Sequence, residues 1–88
     1  MKFIKTKFKN CYIIEIERQN DDRGFFARSW DSKIFEKYNL DTEIVQCNIS
    51  FNLKKNTIRG MHYQISPYEE SKLVRCTRGK IMDVIIDL

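Results

Sequence analysis

Histidine, proline and tryptophan each occur once in these 88 residues, and glycine and cysteine only three times each. The cysteines, Cys11, Cys47 and Cys76, contain no Cys-x-x-Cys pair and are odd in number, which argues against a zinc site and against a closed disulfide framework. Such usage fits a reducing compartment, and a cytoplasmic location is expected. No apolar run approaches the ~20 residues of a membrane-spanning helix. Met1-Lys2-Phe3-Ile4-Lys5 is too often charged for the apolar centre of a signal peptide, so a soluble, unexported protein without a membrane partner is expected. Repeats, low-complexity tracts and linkers are absent, leaving one domain over residues 1–88.

What is present is an ordinary globular composition, 42% hydrophobic and 32% charged, which excludes intrinsic disorder. The formal charge of +4 suits an anionic partner, and small phosphorylated metabolites qualify. Lys2, Lys5, Lys7 and Lys9, and then Lys54-Lys55, read as solvated faces. No basic run is interleaved with aromatics as in a nucleic-acid motif, so no nucleic-acid partner is expected. A chain this short buries a modest core and needs a compact sheet, a partner chain or more sequence.

Short β-branched and aromatic runs at residues 3–8 and 11–17, joined at Lys9-Asn10, predict strands. Gln19 to Gly24 reads as a turn in which Asx side chains bond their own backbone and Gly24 takes a positive φ. Phe25 to Trp30 leaves it as a strand. Asp31 or Ser32 caps a helix to about Tyr38, with Ile34 and Phe35 inward, Lys33, Glu36 and Lys37 outward, and Asn39 left-handed at its end. Strands are then expected at 43–51, 57–64, 72–77 and 80–88, with a loop over Ser66-Pro67-Tyr68-Glu69-Glu70 and a tight hairpin at Arg78-Gly79. The fold class is all-β, a sandwich or barrel with one small helix. The run 81–88 is the most strand-like of all and nothing follows it. An apolar last strand leaves an unpaired edge, so a fragment of a longer chain is expected.

The chain's one histidine lies in Thr57-Ile58-Arg59-Gly60-Met61-His62-Tyr63-Gln64. Strand alternation projects His62 and Gln64 from one face, and Gly60 leaves space there beside the imidazole. An imidazole titrates near neutrality and suits proton transfer. The alternative is a structural histidine satisfied by a core hydrogen bond.

Asp21-Asp22-Arg23-Gly24-Phe25-Phe26, Gln46-Cys47-Asn48-Ile49-Ser50, Arg59-Gly60-Met61-His62-Tyr63-Gln64 and Lys72-Leu73-Val74-Arg75-Cys76-Thr77-Arg78-Gly79, running into Asp83-Val84-Ile85-Ile86-Asp87-Leu88, taken in this order, resemble the N-terminal half of the dTDP-4-dehydrorhamnose 3,5-epimerases. The resemblance implies a cupin-type (jelly-roll) β-barrel of which these residues are the N-terminal portion, a homodimer, and a small-molecule nucleotide sugar as substrate. The implied reaction inverts C3 and C5 of dTDP-4-dehydro-6-deoxy-glucose in dTDP-rhamnose synthesis. By the same resemblance His62 is the base that removes a proton next to the C4 ketone, and Lys72 stabilises the enolate oxygen. Arg23 and Arg59 match diphosphate-binding arginines, whose planar forks suit that group. Gln46 and Asn48 match polar contacts to the nucleotide sugar; Phe26 is a candidate to pack on the nucleotide base, the alternative being a core role for the Phe25-Phe26 pair beside the turn.

Two departures stand out. Arg28 occupies the place where the typical epimerase has a glutamate, which opens the nucleotide end to other deoxysugar nucleotides. The family's acid, a tyrosine of the C-terminal half, corresponds to none of Tyr12, Tyr38, Tyr63 or Tyr68. Metal-binding cupins use several histidines, whereas Gln64 stands where a second would complete His-x-His, so neither metal nor cofactor is expected. Rival readings are a single-carbon epimerase, an epimerase of another deoxysugar nucleotide, and an inactive binding or dimerisation module.

Overall fold

A computed structural model describes all of residues 1–88. Its regular structure is β, four strands in two antiparallel two-stranded sheets, with one short helix. The chain divides into two compact units, Met1–Ile44 with Ile86–Leu88, and Val45–Ile85.

In the first unit β1 (Lys2–Lys5) pairs with β2 (Tyr12–Glu15), setting Phe3 opposite Ile14 and Ile4 opposite Ile13. The strand expected at 3–8 stops early because Thr6 redirects the chain. Its backbone N–H and hydroxyl both donate to the Cys11 carbonyl, at 3.2 and 2.9 Å, and the hydroxyl accepts the Phe8 N–H at 3.1 Å, so the bonding beyond Lys5 turns local. Asn10, at φ 57°, takes the left-handed place that a short polar side chain tolerates.

The segment expected as a turn at 19–24 is instead a hairpin. β3 (Gln19–Asp21) and β4 (Gly24–Phe26) pair with Asp21 opposite Gly24, so only Asp22-Arg23 forms the loop. Gly24 has φ 131°. The strand expected from Phe25 to Trp30 ends at Phe26, where its three-residue partner ends.

Helix α1 (Ser32–Lys37) matches its sequence signals. Asp31 Oδ1 accepts the Lys33 and Ile34 N–H groups at 3.0 and 3.2 Å, satisfying donors that a first turn leaves orphaned. Asn39 closes it at φ 55°. Of its side chains only Phe35 is buried. An aromatic cluster surrounds that ring: Phe3 stacks on Tyr38 at 4.0 Å between centroids and meets Phe35 edge-on at 5.6 Å, while Trp30 approaches Phe35 at 6.0 Å. Such pairs contribute about 0.5–1.5 kcal/mol each beyond burial, so these rings help tie α1 to the β1–β2 hairpin.

The second unit corrects the sequence reading. None of the strands expected at 43–51, 57–64, 72–77 and 80–88 forms, and residues 45–85 hold no helix or strand. A strand exists only where a neighbour completes its hydrogen bonds, and these runs find no neighbour within the chain. Their apolar side chains stay in solvent, Ile49 at 99% and Ile58 at 91% exposure. The turns between them do form: Tyr68 N–H donates to the Ile65 carbonyl at 2.8 Å across Ser66-Pro67, and Gly79 bends the chain at φ 80°, though without a hairpin ladder. No helix of the chain is long and apolar enough to cross a membrane.

Candidate active site

The residues singled out from the sequence fall in both units. Arg23 lies in the two-residue β3–β4 loop, held by its neighbour. Asp21 Oδ2 accepts from Arg23 Nη2 at 2.7 Å while Oδ1 accepts the Arg23 backbone N–H at 2.8 Å. The Asx turn anticipated for this segment is therefore present. The Arg23 side chain bond and then its backbone bond hold the Asp21 carboxyl below its ordinary value of 3.8, outweighing an opposing desolvation. The guanidinium remains open to solvent, 86% exposed.

Phe26 ends β4 and is 69% exposed, so it is not a core residue of this unit. It lines a shallow cavity of about 200 Å³ together with Gln19 and Arg28. Arg28 Nη1 stands 3.4 Å from Asp31 Oδ2, and this pairing gives the arginine a place in the fold. It faces the carboxylate that caps α1.

In the second unit Gln46, Asn48 and His62 are exposed on irregular backbone, so the shared strand faces anticipated for Gln46 with Asn48 and for His62 with Gln64 are not formed. Gly60 has φ 95°, and a Cβ there would stand 3.5 Å from His62 Nδ1. The bare side of the glycine thus lies against the imidazole itself, rather than leaving open space on a shared strand face. Arg59 folds back on the preceding loop: Nε donates to Asn52 Oδ1 at 2.6 Å and Nη2 to the Phe51 carbonyl at 3.0 Å. Lys72 Nζ meets Glu70 Oε1 at 3.0 Å, both side chains about half exposed at 49% and 48%.

Two partners escaped sequence reading. Asn52 stands seven residues before Arg59, a spacing that neither strand nor helix period flags. Glu70 lies in what reads as a plain loop. No group of three or more His, Cys, Asp or Glu side chains that could hold a metal ion is assembled.

Chemically, these elements offer a cation held by a carboxylate in one unit. The other offers a cation held by neutral acceptors, an imidazole beside a bare backbone, and an ammonium on an exchangeable surface pair. Comparison with known proteins gives this set a context. A family model described as dTDP-4-dehydrorhamnose 3,5-epimerase matches residues 5–88. A protein of that name from Shigella flexneri is 42% identical over 89 aligned positions, covering 100% of this chain and 49% of that protein. Its counterpart from Escherichia coli is 39% identical, with 100% and 48% covered. A dTDP-4-dehydrorhamnose 3-epimerase from Streptomyces niveus is 32% identical, with 100% and 42% covered. The chain thus spans about half the length of the curated relatives it matches. No solved structure matches it. A match over nearly every residue, joined to that degree of identity, places the chain in a family: it belongs to the dTDP-4-dehydrorhamnose 3,5-epimerases.

Proposed function

We propose that this chain supplies the base-bearing part of a sugar-nucleotide epimerase, which inverts C3 and C5 of dTDP-4-dehydro-6-deoxy-glucose. The observation that carries this reading is the family match over residues 5–88, which includes every residue given a role here. The C4 ketone acidifies the neighbouring C–H bonds. His62 takes the proton, the C–H electron pair moves into the enolate with charge on the C4 oxygen, and an acid from outside these residues returns a proton to the opposite face. Lys72 stabilises the enolate oxygen. Its pair with Glu70 is half exposed, and such pairs contribute only about 0–1 kcal/mol, so the ammonium exchanges readily to a developing oxyanion. Arg23 and Arg59 bind the diphosphate, Gln46 and Asn48 contact the nucleotide sugar, and Phe26 packs on the base. In this reading residues 1–88 form the N-terminal portion of one jelly-roll domain in a cytoplasmic homodimer, and the apolar runs of Val45–Ile85 gain their ladder partners from strands outside these residues. No metal or cofactor enters the reaction.

A second reading, inversion at C3 alone, is favoured by the similarity to the Streptomyces niveus protein. Both are tested by joining the chain to the C-terminal half of the Shigella flexneri relative and following wash-in of deuterium at C3 and C5 by NMR. Label at both carbons supports the first reading and label at C3 alone the second. Absence of exchange from a folded fusion that still binds dTDP sinks both in favour of an inactive binding module.

A further inference from the structure

We propose that Asn52 is the positioning residue of Arg59 and that the pair makes Arg59 the stronger of the two anion anchors; this rests on the diphosphate role given to Arg59 above. The sequence builds the arrangement locally. Thr57 Oγ1 donates to the Lys54 carbonyl at 2.7 Å and Asn56 turns at φ 64°. That tight turn sends the chain back so that residue 59 reaches residues 51 and 52. There Asn52 Oδ1 takes Nε–H at 2.6 Å and the Phe51 carbonyl takes an Nη2 hydrogen at 3.0 Å.

A guanidinium is a flat plate with five N–H donors in fixed directions. Binding it along the Nε–Nη2 side leaves the Nη1–Nη2 end, still a two-pronged fork, for an oxyanion. Both acceptors are neutral. Arg59 therefore keeps its full charge while losing much of the side-chain freedom that a binding event would otherwise have to remove. Arg23 is held differently, by one guanidinium bond to the Asp21 carboxylate at 2.7 Å, an acceptor of opposite charge that offsets part of its field. Two arginines of apparently similar role thus differ in what they offer an anion, and the difference lies in the residue that holds each.

The test uses the 88-residue chain with inorganic pyrophosphate as the probe, read by titration and by the NMR signal of the Arg59 Nε proton. Asn52→Ala should speed exchange of that proton and weaken pyrophosphate about 3- to 10-fold, the loss expected for one side chain no longer preorganised. Asn52→Asp separates positioning from mere structure, because it preserves the Nε–H hydrogen bond but adds a negative charge. The proton should stay protected and affinity should still fall at least as far as in the alanine variant. Wild-type affinity in Asn52→Asp, unchanged affinity in Asn52→Ala, or no pyrophosphate binding at Arg59 in the parent chain would each overturn the proposal. The deuterium assay on the fused protein reports separately on the reaction. Loss of turnover with this pattern intact would reject the epimerase reading and leave the anion anchor standing.

Discussion

Asp21 grips Arg23 twice, by its side chain at 2.7 Å and by its backbone N–H at 2.8 Å, and in doing so closes the β3–β4 loop. Both contacts favour the carboxylate over the acid, which is why the group titrates below 3.8. The stabilisation is therefore fully present above 3.8 and is lost as pH falls through the lowered folded value. Acid titration by NMR should show the Arg23 amide and its guanidinium signal moving together with the Asp21 carboxyl carbon, at a midpoint below 3.8. Asp21→Asn should abolish that shared step, and a midpoint at or above the ordinary value would contradict the assignment.

The cap of α1 gives a second prediction. Asp31 satisfies two orphan N–H groups and faces Arg28 at 3.4 Å. Asp31→Ala should lower stability by about 1 kcal/mol, read by urea denaturation followed at the Trp30 fluorescence. Arg28→Ala should cost under about 0.5 kcal/mol, as exposed pairs do. Arg28→Glu should cost more than the alanine change because a second carboxylate then faces Asp31. Roughly 1 M salt should narrow that gap; a gap indifferent to salt would mean that the two side chains do not interact.

The contrast between α1 and the second unit explains what the sequence makes legible. A helix cap, a left-handed Asn39 and an Asx turn at Asp21 are settled by residues two to four apart, and all were anticipated. Strand pairing is not local: residues 43–51 and 57–64 have the right alternation, yet alternation specifies a face, not a neighbour, and none is available within these residues. His62 could be singled out from its motif, and Gly60 beside it, but Asn52 could not. Its link to Arg59 depends on a turn geometry at Asn56 that the residue types permit without requiring.

Gly60 offers a third test. At φ 95° any side chain is strained, and its Cβ would also stand 3.5 Å from His62 Nδ1. Gly60→Ala should cost about 1–3 kcal/mol if the backbone holds this conformation, seen as a lowered Tm. The His62 ring carbons should shift in NMR as the methyl group arrives. A melt within error of the parent would show that the backbone relaxes to another conformation.

The last prediction concerns His62 itself. Fused to the C-terminal half of the Shigella flexneri relative, the chain should lose exchange of substrate C3 and C5 protons with deuterated solvent on His62→Asn, while dTDP binding changes little. A general base contributes typically ~10²- to 10⁴-fold to rate, whereas in the proposed function affinity for the diphosphate is assigned to the guanidinium groups of Arg23 and Arg59. Asparagine keeps the size and polarity of the side chain but has no basic nitrogen to take a proton. His62 is exposed and lies against the bare side of Gly60, so no core hydrogen bond is at stake and the Tm of the variant should match that of the parent. A histidine with a purely structural role behaves in the opposite way: the Tm falls and activity follows the folded fraction. Exchange measured beside a thermal melt separates the two cases, and wild-type exchange per folded molecule in His62→Asn would remove the imidazole from the reaction.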